Sequence, residues 1–454
     1  LEELLTENRS WMEIKAEIAE TKMTFIGDVD LATAARSLVL EAKVGGENLA
    51  SLSDLVRVDL PPFAAYEVAA NLHLEAGKID LKKMHIQTGT SSLGGTAIIR
   101  KKNDNITADL KLRSPLVQID DFIFENWSWS GEEKTGAEVE SSTETTEKKP
   151  EKEEAEGENG GKDNRNLLDP ELLAKYGGSI EVDAEKVLSG EDMLGSGQLH
   201  LFLEGGRLQV KPLMVQLPGG KLEMIGSIKP GVEEAEADLK VGIENFDIGV
   251  LVRRTKPESD MGGLVNLDMD VQSTATSISE LLAKGNGYFD FSGKLENFSA
   301  GIIDLWAVNL VAAIVAGAQK DKSQLNCAVG RWSMTDGMLK SDAFFMDTSK
   351  IRICAKGEVN LRDQRVDIEV KPSAKKAEFF SLATPLEVKG SFSDINIGIV
   401  GGGVVGTAVK FIASPVSAPL QRTFSKKIPK DGSDVCNMEL GPDNRDEIVV
   451  PKCK

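Results

Sequence analysis

Aromatic residues are scarce in this chain, at 5% of 454 residues. Carbohydrate binders and single-strand nucleic-acid binders depend on stacking against rings, so both classes are disfavoured. Positive charge is also short. The formal net charge is −19 and the pI about 4.8, which leaves no basic face for nucleic acid. There are three histidines and four cysteines. His73, His85 and His200 each stand in an alternating segment far from the others, whereas a metal site needs ligands that converge. No CxxC occurs, which argues against a zinc ribbon or a thioredoxin-type motif. The G-x-S-x-G, P-loop and H-E-x-x-H signatures are missing. We therefore expect no enzyme, no cofactor and no metal. No apolar run reaches the roughly 20 residues that cross a bilayer. The chain starts at Leu1 and not at Met, so it reads as a fragment or a processed form whose signal or anchor would lie upstream.

What the sequence does hold is alternation. Hydrophobic residues make up 41% and charged residues 28%, ordinary for a chain that buries a core. Ile106, Ala108, Leu110 and Leu112 alternate with Thr107, Asp109, Lys111 and Arg113. Ala235, Ala237, Leu239, Val241 and Ile243 alternate with Glu234, Glu236, Asp238, Lys240 and Glu244. Val265 to Val271 and Val366 to Val370 do the same. Period two with one apolar side predicts antiparallel sheet covered on one face only. Asn266, Asp268 and Asp270 superficially suggest a calcium loop, but Val271 stands where an EF-hand needs Gly, and alternation explains them.

A unit also recurs. Segments starting at Ala76, Gly205 and Asp336 each read as a turn glycine followed by strand, turn, strand, turn, strand. The opening glycines are Gly77, Gly206 and Gly337, and second glycines, Gly226 and Gly357, follow in the last two. Glycine at such places supplies φ > 0 for tight turns. Repetition at this scale predicts stacked β-meanders.

Short helices punctuate the strands. Asp169-Pro170 opens one that Gly177 stops. Ser277-Ile278-Ser279-Glu280 is a capping box before a second, stopped at Gly285. Ser51 to Val58 resembles a third. A longer apolar helix is expected over roughly Ile302 to Ala316. Residues 131–166 are a polar, acidic low-complexity tract that cannot offset its chain entropy and is expected to be disordered. Gly401 to Gly406 matches G-x-G-x-x-G, but too little chain follows to build a dinucleotide fold. We read it as the small-residue start of an apolar helix with Val405, Val409, Ile412 and Val416 on one face. That helix docks on the core, plugs the end of the apolar sheet, or dips into a membrane surface. Cys436 and Cys453 lie in a polar tail, where they are either disulfide-bonded to each other or free thiols.

Several short motifs carry a family resemblance. They are Leu325-Asn326-Cys327, Asp336-Gly337, Asp347-Thr348, Lys356-Gly357-Glu358-Val359-Asn360-Leu361, Val366-Asp367-Ile368, Val370-Lys371-Pro372 and Thr384-Pro385-Leu386-Glu387-Val388-Lys389-Gly390-Ser391. In this order and spacing, residues 320–400 resemble the C-terminal region of AsmA-like proteins. Residues 40–112 and 167–230 look like the same family's repeated upstream unit. The resemblance implies an inner-membrane anchor ahead of this fragment and a body in the periplasm of the cell envelope. It implies an elongated, curled sheet with an apolar groove, related to bridge-like lipid transfer proteins.

The expected architecture is a mainly β, curled antiparallel sheet of repeated meanders with capping helices. Its parts are a β-repeat region over 1–130, the acidic linker over 131–166, a second repeat region over 167–300, a C-terminal β region over 301–400 and a tail over 401–454. The expected groove residues are Leu199, Leu201, Leu203, Leu208, Val210, Leu239, Val241, Ile243, Val366, Ile368 and Val370. The expected function is phospholipid binding and transport that supports outer-membrane biogenesis. The alternative is a structural or chaperone-like role in outer-membrane protein assembly, with such a protein as partner.

Overall fold

The computed structural model describes residues 9–30, 37–53, 60–63, 65–122, 170–231, 234–255, 258–275, 278–296, 325–349, 351–375, 385–392, 394–399, 429, 431–432 and 435–436. The apolar segments expected to be helical over 302–316 and 401–416, and the tract 131–166, lie outside these residues.

The described residues form one open sheet of 20 strands. The strands are β1 (Arg9–Ile18), β2 (Thr21–Asp30), β3 (Ser37–Gly46), β4 (Tyr66–Glu75), β5 (Lys78–Thr88), β6 (Ser91–Lys102) and β7 (Asn105–Gln118). Then follow β8 (Tyr176–Ser189), β9 (Asp192–Glu204), β10 (Arg207–Leu217), β11 (Gly220–Lys229), β12 (Ala235–Asp247), β13 (Gly262–Ala275) and β14 (Asn286–Glu296). The last six are β15 (Leu325–Thr335), β16 (Met338–Thr348), β17 (Ile351–Asn360), β18 (Arg365–Ala374), β19 (Leu386–Ser391) and β20 (Asp394–Ile399). Each strand pairs with its neighbours in sequence, so spatial order is chain order. At the usual strand spacing the sheet runs about 90 Å along its hydrogen-bonding direction.

One joint differs. β7 and β8 are parallel, in register from Ile106 opposite Tyr176 to Gln118 opposite Leu188. Every other pairing is antiparallel, so the sheet continues past the acidic tract, whose flanking strands lie side by side. Gln118 donates to the Gly190 carbonyl at 3.0 Å, and the Ser91 amide donates to Asp121 at 2.9 Å. These bonds fix the 3-10 turn Ile119–Phe122 beside the joint.

The repeats hold a correction. Gly77, Gly206 and Gly337 do sit in turns, with φ of 73°, 76° and 73°. The first strand–turn–strand of each unit, however, is one strand carrying a β-bulge. Register slips between Leu81 and Met84 in β5, Val210 and Leu213 in β10, and Lys340 and Phe344 in β16. An extra residue there kinks the strand without reversing it. Gly226 and Gly357 lie inside β11 and β17. At Gly357 a Cβ would stand 2.2 Å from the Asp367 carbonyl oxygen, so glycine serves close strand approach there and not a turn.

The helices are short. α1 (Pro170–Lys175) and α3 (Ile278–Ala283) fall where the capping signals place them, and α2 (Gly249–Thr255) lies between. At the Ser51 position only a 3-10 turn, Leu49–Leu52, is described.

Candidate functional site: an apolar sheet face

Paired residues across a ladder point to the same side of a sheet, so the registers can be followed from strand to strand. One row runs Leu40, Leu72, Leu81, Ala97, Leu110, Ile180, Leu201, Val210 and Gly226. It continues Leu239, Val271, Gly287, Met334, Leu339, Val359, Val366 and Gly390. From β3 to β19 this row holds no polar side chain. All eleven groove residues named from the sequence fall on this same face. The bulges matter here: a one-residue slip would send later side chains to the opposite face, and the two-against-one count absorbs it.

The face is unevenly covered. Over β8–β12, Leu199, Leu201, Leu203, Leu208, Val210, Leu239, Val241 and Ile243 are all half-buried. Over β4–β7, Ala70, Met84, Ala97 and Leu112 form a small buried cluster. Over β14–β16 the side chains become aromatic. Phe289 and Phe291 lie 6.0 Å apart by ring centroids, Phe291 and Phe344 6.1 Å, and Trp332 and Phe344 6.2 Å. The sequence reading missed these four, although their concentration in so aromatic-poor a chain was a signal.

The opposite face is polar and wet. Lys111 faces Glu181, Lys221 faces Glu244, Lys240 faces Asp270, Lys340 faces Glu358 and Lys389 faces Asp367, each within 3.6 Å. Each exposed pair contributes at most about 1 kcal/mol. The Lys240 ammonium is held above its ordinary pKa, chiefly by its hydrogen bond to Asp270. Tyr288 donates to Asp268 at 3.2 Å, and burial with that carboxylate's charge pushes its phenol up to about 12. The three histidines all lie on this face: His73 pairs with Asp80, His85 with Gly94 and His200 with Glu181.

At one end the polar face carries its own core. Cys327, Val329, Phe345 and Cys354 are buried against Val435 and Cys436. Cys436 is disulfide-bonded to Cys327 and so not to Cys453, which corrects the expected pairing. The tail residues were close in sequence, but Cys327 reaches Cys436 because β15 passes beneath it. Beside the disulfide, Asp347 accepts from Arg352 at 2.8 Å, Lys375 at 2.6 Å and Asn326 at 2.7 Å. The short motifs around Asn326-Cys327 and Asp347-Thr348 thus meet at one buried latch.

Two concavities of about 610 and 460 Å³ lie at strand ends. The first mixes both faces, with Ala184 and Val215 beside Arg113 and Glu223. The second sits on the polar face beside Cys436. Neither coincides with the apolar row. No cluster of metal-binding side chains occurs among the described residues, and no helix among them is long and apolar enough to cross a membrane.

The model of the AsmA family matches residues 26–344. The AsmA family protein YhjG of Escherichia coli (strain K12) is 23% identical over 438 residues, an alignment covering 88% of this chain and 59% of that protein. The chain therefore spans about three fifths of the length of the curated relative it matches. No solved structure matches it.

Proposed function

This chain belongs to the AsmA family, and on that premise we propose that its apolar face holds the acyl chains of phospholipid in the cell envelope, as a binding and transport surface and not as an enzyme. The observation that carries the reading is the row from Leu40 to Gly390, apolar throughout and only half-covered over β8–β12. The right-handed twist that sheets carry would wrap such a face into a groove. Acyl chains need no directed polar partners, and each methylene moved out of water contributes about 0.8 kcal/mol. The wet opposite face would keep a loaded sheet soluble. Inner-membrane anchoring and a periplasmic setting belong to the same proposal.

The test is native mass spectrometry of the purified chain with lipid extraction. Phospholipid at one or more equivalents is expected. Leu201→Asp and Val241→Asp should lower that stoichiometry several-fold, whereas Glu223→Gln on the polar face should not. A lipid-free chain that takes up none from vesicles would overturn the reading. The chaperone-like alternative draws on a different feature. Among the described residues β1 pairs only with β2 and β20 only with β19, so both edges could accept a strand of a partner protein. Strand capture without lipid would favour it.

A further inference from the structure

We infer that the acyl-chain track ends at an aromatic wall made by Phe289, Phe291, Trp332 and Phe344, so that lipid is held over β1–β13 and stops short of β15–β18. The inference rests on the lipid reading above. Phe291 on β14, Gly330 on β15 and Phe344 on β16 are directly opposite one another in register. The two rings close over the glycine between them: a Cβ on Gly330 would stand 2.2 Å from the Phe291 ring. Phe289 and Trp332 are paired in the adjacent row. Centroid separations of 6.0 to 6.2 Å along the chain of rings are contact distances, leaving no room for a hydrocarbon chain to pass between them. In contrast, the strands β9 to β11 place no aromatic residue on this face.

On this face Trp332, Met334, Ile353 and Ala355 are 5–8% exposed, while Phe289, Phe291 and Phe344 are half-buried, like the groove residues of β8–β12. The polar side of these strands is buried as well, around Phe345 and the Cys327–Cys436 disulfide. A buried, disulfide-closed core beneath these strands resists opening, so the wall stands on a braced part of the described sheet. This assigns Val366, Ile368 and Val370 to the region behind the wall, on the track's face but outside its lipid-holding stretch.

The experiment places benzoylphenylalanine at Leu201, Leu267, Val359 or Ile368 in turn. Each purified protein is incubated with vesicles of phosphatidylethanolamine and phosphatidylglycerol carrying labelled phosphate, then illuminated. Label is expected at 201 and 267, and at least tenfold less at 359 and 368. Replacing Phe291 and Phe344 together by Ala should raise label at 359 and 368 several-fold without lowering it at 201. Should that variant fold poorly, Phe344→Leu gives a smaller rise in the same direction. Equal label on both sides of the wall in the unmodified background, or no rise when the rings are removed from a folded protein, would overturn the wall alone. Label at none of the four would overturn the lipid reading and the wall with it.

Discussion

Asp347 and Lys375 meet at 2.6 Å with their side chains 0% and 1% exposed. The same carboxylate also receives Arg352, itself 8% exposed. Two buried cations bond this carboxylate, so removing it takes away charge that offsets their desolvation. Asp347→Ala should destabilise the oxidised protein by about 3–5 kcal/mol. Lys43→Ala, which removes the exposed pair with Glu67, should cost less than about 1 kcal/mol. Denaturant unfolding of the two variants distinguishes them, and similar losses would contradict the latch.

Tyr288 supplies a pH test. Burial, then the nearby Asp268 charge, raise its pKa from 10.0 to about 12 in the folded chain. The fold thus favours the neutral phenol. That contribution is complete below pH 10 and is lost as pH rises through about 12. Alkaline titration followed by tyrosinate absorbance should show one of the three tyrosines ionising near pH 12. Tyr288→Phe should abolish that step and flatten the stability loss in the same window. An unchanged titration curve would rule this out.

The parallel joint makes a prediction about length. To enter β8 beside the start of β7, the chain must travel back along the ladder from Gln118 to Ile106, about 40 Å at the rise of an extended strand. About a dozen extended residues can span that distance. Deleting about twenty residues from the tract should change stability by less than about 1 kcal/mol, because loop closure depends only weakly on length. Cutting to fewer than about ten residues between Phe122 and Pro170 should break the β7–β8 ladder. Hydrogen exchange at the amides of Leu110 and Ile180 reports the difference.

The face was legible in the sequence because alternation is a local property. Leu239, Val241 and Ile243 announce their side of the sheet whatever they pack against. The turns were legible where glycine is required, as at Gly77 and Gly206. The bulges were not. Lys82-Lys83 and Lys211-Pro212 look like turn residues, and only the partner strand shows that the ladder resumes beyond them. The disulfide was equally hidden, since which thiol meets Cys436 depends on how β15 is laid down. The aromatic wall escaped for a similar reason. Phe291 and Phe344 are distant in sequence, and their contact exists through Gly330, a residue with no side chain to signal it.

Neighbour-to-neighbour pairing also bears on how the molecule is made. Nearly every ladder joins segments adjacent in the chain, so the sheet can be assembled strand by strand as polypeptide emerges, each hairpin templating the next. The β7–β8 joint imposes one pause while its long connection is threaded back. The Cys327–Cys436 disulfide comes after the described ladders, because its two cysteines are 109 residues apart and Cys436 follows the final described strand. Oxidation at that pair therefore requires every described strand to have been made first, and a protein truncated shortly after β20 would hold its ladders but never receive that seal.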